Sequence, residues 1–87
     1  TLPAQFAQTL DNTLAVLREA GAGPEHVTRM TWYITDKQAY LSSLAEIGAI
    51  WRDKMGKNYP AMAVVEVKAL IEDAALIEIE TTAIIPR

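Results

Sequence analysis

The apolar residues of the first twenty positions recur at the spacing of an amphipathic helix. Four of them lie at steps of four, four and three residues, which places them on one helical stripe. They are Phe6, Leu10, Leu14 and Leu17. Pro3 suits a first helical turn, and Gly21 suits a helix C-terminus. The pattern therefore predicts a helix over residues 3–20.

The next segment, residues 26–35, is rich in β-branched and aromatic residues and predicts a strand. One side of it carries Met30, Trp32 and Ile34, and the other carries Arg29, Thr31 and Tyr33. Asp36 is a good N-cap for a second helix, which Gly56 would end. The apolar residues of that helix at helical spacing are Tyr40, Leu41, Leu44, Ile47, Trp51 and Met55.

Two further strands are predicted in the last third of the chain, over residues 61–70 and 75–85. The first alternates between the set Ala61, Ala63, Val65, Val67 and Ala69 and the set Met62, Val64, Glu66 and Lys68. The second alternates between Ala75, Ile77, Ile79, Thr81, Ala83 and Ile85 and the set Leu76, Glu78, Glu80, Thr82 and Ile84. Because residues 71–74 form a short connection, we expect these two strands to pair as a hairpin.

The order helix, strand, helix, strand, strand predicts a single α+β domain over residues 1–87, with two helices on one face of a mixed sheet. The second face of the sheet then has no helix to cover it. We expect that face to carry apolar side chains beside three carboxylates, which makes it a candidate subunit interface. These residues are Met62, Val64, Leu76, Ile84, Glu66, Glu78 and Glu80.

Composition narrows the function classes. The 87 residues include no cysteine, which excludes disulfides, thiol nucleophiles and cysteine metal sites and fits a reducing compartment. A net charge of −3 provides no excess of positive charge that would attract nucleic acid or an anionic membrane surface. No membrane span and no leader is recognisable, so we expect a cytoplasmic protein. A domain this small is stabilised by self-association in many proteins.

Nucleotide-binding loops, nucleophile elbows and metal-binding motifs are absent, and we expect neither a metal nor a cofactor. The only histidine, His26, is interpreted as an ordinary residue at a strand start, and Trp32 and Trp51 as core residues. The remaining candidate chemistry is the set of Glu66, Glu78 and Glu80. A carboxylate beside apolar side chains has a raised pKa, which suits an acid or base that handles water. The alternative is a solvated strand face, or pairing with Lys68.

Six short segments resemble the Rid family, the reactive intermediate deaminases also called YjgF proteins. They are QTLDN at 8–12, EAGA at 19–22, YITD at 33–36, YPA at 59–61 with VVEV at 64–67, and LIEIE at 76–80. The resemblance implies a chorismate-mutase-like α+β domain that assembles as a homotrimer with ligand clefts between subunits. It also implies hydrolysis of enamines and imines, such as 2-aminoacrylate, to a 2-keto acid and ammonia.

The same resemblance implies site residues. Glu78 stands where the family has the glutamate that positions the water, and we expect it in a cleft beside Leu76 and Val64. Substrate binding falls on Met62, Ala63 and Val64, of which Val64 contributes only its backbone amide. Met62 stands where active members have an arginine that binds the substrate carboxylate. We therefore expect simple 2-keto acids to bind weakly. An asparagine that many members carry on the second helix is Ala45 here.

Members of the family begin with a β-hairpin before the QTLDN helix, which the domain over residues 1–87 lacks. Either this hairpin has been lost, or the 87 residues are a fragment of a longer product. The alternative to a deaminase is a non-catalytic trimer that binds a small metabolite or a protein partner through the same cleft. The ribonuclease label carried by some members is disfavoured by the net charge of −3.

Overall fold

Three strands form one mixed sheet with three helices on one of its faces. The computed structural model describes all 87 residues, Thr1 to Arg87. The helices are α1 (Leu2–Glu19), α2 (Lys37–Ser42) and α3 (Leu44–Met55), and a short 3₁₀ turn spans Pro24–His26. The strands are β1 (Val27–Ile34), β2 (Ala61–Glu66) and β3 (Ile77–Ala83). The α+β class predicted from the pattern is confirmed.

The sheet has the order β2-β1-β3, with β1 parallel to β2 and antiparallel to β3. The predicted hairpin between the last two strands is therefore wrong, because both pair with β1 and lie on opposite edges. The connection over residues 67–76 is long enough to cross the two strand spacings, about 10 Å, that separate the edges. The pairing of β2 and of β3 with β1 reaches only to Ile34, the last residue of β1. Both strands are therefore shorter than the predicted strands over residues 61–70 and 75–85.

Local capping fixes the helix ends. The Thr1 hydroxyl accepts the N–H of Ala4 at the start of α1, and Asp36 Oδ1 accepts the N–H of Ala39 at the start of α2. Gly56 ends α3 with a φ of 65°, in the left-handed region that favours glycine. The predicted second helix is divided in two at Ser43. Serines there compete with the helical hydrogen bonds, and the Ser42 hydroxyl donates to the Gln38 carbonyl oxygen.

Trp32, on the central strand, is the middle of the core. Its ring centroid lies 4.7 Å from that of Phe6 and 5.8 Å from that of Trp51. No polar or charged residue is buried. The interpretation of both tryptophans as core residues is confirmed. The buried residues are Leu2, Phe6, Leu10, Leu17, Val27, Met30, Trp32, Ile34, Ile47, Trp51, Met55 and Ile77.

The opposite face of the sheet carries the other alternate residues. Tyr33 is paired with Val65 on β2 and with Glu78 on β3, and the next row is Thr31 with Ala63 and Glu80. Met62, Val64 and Glu66 are paired instead with Met30, Trp32 and Ile34, whose side chains face the helices. The expectation that Glu66 shares a face with Glu78 and Glu80 is wrong. Both alternate sets of β2 contain apolar residues, so alternation alone did not identify the core side.

Candidate functional site

Met62 lines a cavity of about 190 Å³ between α3 and the start of β2. The side chain is 45% exposed, so it forms part of the rim. The other lining residues are Trp32, Tyr40, Ile47, Gly48, Trp51, Arg52 and Tyr59. Most of this wall is apolar or aromatic, which suits an apolar ligand with a few polar groups.

Val64 has a free backbone amide on the outer edge of β2. Val67 donates its N–H to the Ile34 carbonyl oxygen at 2.8 Å, across to β1. Because N–H and C=O groups alternate between the two sides of a strand, those of Val65 and Ala63 also point toward β1. Those of Met62 and Val64 therefore point away from the sheet, where a ligand or another strand can bind them.

Glu78 lies on the uncovered face, far from this cavity. It is exposed, is paired with Tyr33, and takes part in neither of the two ion pairs of the chain. β3 and β2 are separated by β1, and Val64 faces the helices rather than Glu78. A single chain therefore does not bring Glu78 together with Met62, and Val64 does not flank it as expected.

Glu66 and Ala63 have other surroundings. A carboxylate oxygen of Glu66 accepts the backbone N–H of Lys37 at 2.7 Å, so Glu66 anchors the start of α2. The suggested pairing of a glutamate with Lys68 is not formed, since the ion pairs involve other residues. Ala63 is exposed on the uncovered face, paired with Thr31. Glu66 thus has a structural role within the chain.

His26 closes the turn before β1. Its Nδ1 accepts the N–H of Gly23 at 2.9 Å. Glu25 Oε1 lies 3.4 Å from the same nitrogen. No three histidine, aspartate or glutamate residues cluster as a metal site would require. No helix has the length and apolar character needed to cross a membrane.

Arg52 is the site residue that the sequence analysis missed. It lines the same cavity as Met62, and its Nη1 lies 3.3 Å from the position that a Cβ on Gly48 would occupy. Gly48 and Arg52 are one helical turn apart on α3, and the absence of a side chain on Gly48 leaves room for the guanidinium of Arg52. A glycine inside a helix costs about 1 kcal/mol relative to alanine, which is the signal that could have drawn attention to this position.

Tyr40 contributes a further polar group to the cavity wall. Desolvation by burial raises the pKa of its hydroxyl above the ordinary value. The hydroxyl therefore stays protonated at neutral pH and can donate a hydrogen bond. Arg52 is then the only charged residue that lines the cavity.

Comparison with known proteins identifies the family. Residues 1–85 match the family model described as endoribonuclease L-PSP. The chain belongs to the Rid/YjgF family. A RutC family protein of Pyrococcus abyssi is 34% identical over 79 residues, which are 91% of this chain and 58% of the relative.

Solved Rid/YjgF structures share the fold. A Rid family protein of unknown function from Yersinia pestis has a TM-score of 0.79 at 40% identity, over 95% of this chain and 62% of that one. A YjgF family member from Mycobacterium tuberculosis has a TM-score of 0.80 at 35% identity, over 95% of this chain and 67% of that one. The chain spans 58% to 62% of the length of the curated Rid/YjgF relatives it matches.

Proposed function

We propose that this Rid/YjgF chain forms a homotrimer that hydrolyses imines and enamines of the 2-aminoacrylate type in a cleft between subunits. The observation that carries the proposal is the position of Glu78, an exposed carboxylate with no intrachain cation, on a sheet face that no helix covers. Glu78 and Met62 lie on opposite faces and on opposite edge strands, so a second copy of the chain is needed to bring them together. The cysteine-free composition fits action in the cytoplasm.

The reaction needs a base and a carboxylate-binding group. Glu78 would take a proton from water as the water oxygen attacks the carbon of the C=N bond, and the nitrogen would gain a proton. The hydroxyl of the resulting carbinolamine then loses its proton as the C=O bond forms, and the amino nitrogen gains one as the C–N bond breaks. Ammonia is released and the 2-keto acid remains. An enamine first takes a proton on carbon to become the imine. The free N–H of Val64 is available as a hydrogen-bond donor to the ligand.

Met62 favours a second candidate function. Loss of the arginine at this position removes a bidentate charged contact, which costs on the order of 2–4 kcal/mol, or about 30- to 1000-fold in binding. A trimer that binds a metabolite or a protein partner without turnover is the function expected if that loss is not offset.

The test couples the protein to an amino-acid oxidase acting on a neutral L-amino acid and follows the loss of the imino acid. We expect the protein to speed this loss, and Glu78→Gln to slow it by roughly 100- to 10,000-fold, because an amide cannot take a proton from water. Glu72→Gln, an equal charge change on the exposed connection, is the control and should retain the activity.

Sedimentation of the same samples reports the assembly. A monomer at micromolar concentration would end the trimer proposal. A trimer without activity would favour the second function, and full turnover by Glu78→Gln would show that Glu78 is not the base. Because Glu78 is exposed, the substitution should change the free energy of unfolding by less than about 0.5 kcal/mol.

A further inference from the structure

The cavity beside Met62 holds one cation that has no partner. Arg52 takes part in neither ion pair and in no side-chain hydrogen bond of the chain. Its guanidinium lies against Gly48, at the mouth of the cavity. Arginine binds a carboxylate through two parallel hydrogen bonds, and it does so best where apolar walls reduce the competition from water.

The rest of the cavity suits a large apolar group. Trp32 and Trp51 form its inner wall, with ring centroids 5.8 Å apart, and Tyr40 meets Trp32 edge-on at 6.4 Å. Met62 and Tyr59 form the rim and are 45% and 70% exposed, so both have apolar surface that a ligand would cover. A methionine thioether adapts to an aromatic ring placed against it.

Two further features set the size and polarity of the ligand. The volume of about 190 Å³ is below the roughly 300–1,000 Å³ of sites for drug-sized molecules, so a small metabolite fits. The indole N–H groups of Trp32 and Trp51 are buried without an acceptor in the chain. A ligand oxygen that reached either group would satisfy a donor that the fold leaves unpaired.

We propose that Arg52 binds the ligand carboxylate in place of the residue missing at position 62, and that the cavity selects 2-oxo or 2-imino acids with a large apolar or aromatic side chain. Because the cation is on α3 and not at position 62 of β2, Met62 is free to contact the apolar side chain of the ligand. The inference rests on the proposed function for the imino-acid chemistry, whereas binding itself needs only residues of one chain.

Calorimetry with three probes tests both halves of the inference. Phenylpyruvate carries the carboxylate and the ring, pyruvate lacks the ring, and phenylacetone lacks the carboxylate. We expect phenylpyruvate to bind at least roughly tenfold more tightly than either of the others, since each lacks one of the two contacts. Equal binding of pyruvate and phenylpyruvate would overturn the selection for a large side chain.

The cation is tested by Arg52→Gln against Arg18→Gln. Both residues are exposed and both substitutions remove one positive charge, but Arg18 lies on α1, away from the cavity. Arg52→Gln should weaken phenylpyruvate binding by roughly tenfold or more, and Arg18→Gln should leave it unchanged. Equal affinities of the two variants would refute the role of Arg52.

The outcome separates this inference from the proposed function. Arg52-dependent binding without imino-acid hydrolysis would retain the ligand site and reject the deaminase. Hydrolysis that depends on Glu78 but is unaffected by Arg52→Gln would retain the deaminase and reject the ligand site.

Discussion

The side chain of Gln5 ties the connection before β3 to the first helix, and its removal should destabilise the domain measurably. Gln5 Nε2 donates to the carbonyl oxygen of Ala74 at 2.8 Å, and Gln5 Oε1 accepts the N–H of Leu76 at 2.7 Å. The carbonyl oxygen of Leu76 in turn accepts the N–H of Thr35 at 3.3 Å. This clamp fixes the backbone two residues before Glu78, so it positions the candidate base.

The expected loss in the free energy of unfolding follows from the two hydrogen bonds of Gln5. Each contributes about 0.5–1.5 kcal/mol, and the half-buried N–H of Leu76 would lose its partner. The gain in helix propensity from glutamine to alanine returns a few tenths of a kcal/mol. We therefore expect Gln5→Ala to lower the free energy of unfolding by about 2 kcal/mol, out of roughly 4–13 kcal/mol for a domain of this length. The melting temperature should fall by roughly 8–16 °C.

Urea unfolding followed by the fluorescence of the buried tryptophans measures this loss. Gln8→Ala is the matched control, because Gln8 lies on the same helix and bonds only to Asn12, at 2.9 Å. That local pair contributes about 0.2–0.5 kcal/mol. All variants are compared at one protein concentration, since assembly stabilises by mass action. Equal midpoints for the two alanine variants would refute the clamp.

Three other outcomes are expected. Burial raises the pKa of Tyr40, so the folded state favours the protonated hydroxyl. The resulting contribution to the free energy of unfolding is complete below the unfolded pKa of about 10 and is lost as the pH rises through the pKa of the folded state. Tyr40→Phe should therefore lose less stability between pH 8 and pH 11 in urea titrations, and an unchanged slope would contradict this. Met62→Arg should strengthen pyruvate binding by about 30-fold in calorimetry, and an unchanged affinity would show that position 62 does not meet the carboxylate. Asp36→Ala should lower the free energy of unfolding, measured in urea, by about 1 kcal/mol because it removes the cap of α2. Ser43→Ala is the control, because the Ser43 side chain caps no helix, and it should leave the stability unchanged. Equal losses in the two variants would argue against the cap.

The elements of this fold are visible in the sequence because each has a clear period or cap. The stripe on α1, the Asp36 cap and the ends of the helices at Gly21 and Gly56 are local features, and the structure has all of them within one or two residues. Strand pairing is not local. The choice of β1 as the partner of both later strands depends on how residues 67–76 cross the sheet, and no turn motif in that segment encodes it.

The sequence alone did not determine which side of β2 faces the helices, because that side also depends on strand pairing. Ala61, Ala63 and Val65 are as apolar as Met62 and Val64, so the register with β1 decides which set is covered. The cavity depends on that register and on the packing of α3 against the sheet. Arg52 was missed because half of the cavity wall comes from outside α3, namely Trp32, Tyr40, Tyr59 and Met62, and the sequence does not show that these residues meet the helix.

The division of the candidate site between two edges of one sheet has a consequence for how the proposed activity would depend on assembly. The residues argued to bind ligand, Arg52 and Met62, line a cavity that one chain forms alone. Glu78 reaches that cavity only if it belongs to a neighbouring copy, because β1 separates the two edges within a chain. Binding would then persist in a dissociated chain, whereas hydrolysis would require the trimer. Substitutions on the uncovered face that weaken assembly should therefore reduce turnover without reducing affinity, which is the opposite of the effect expected at Arg52.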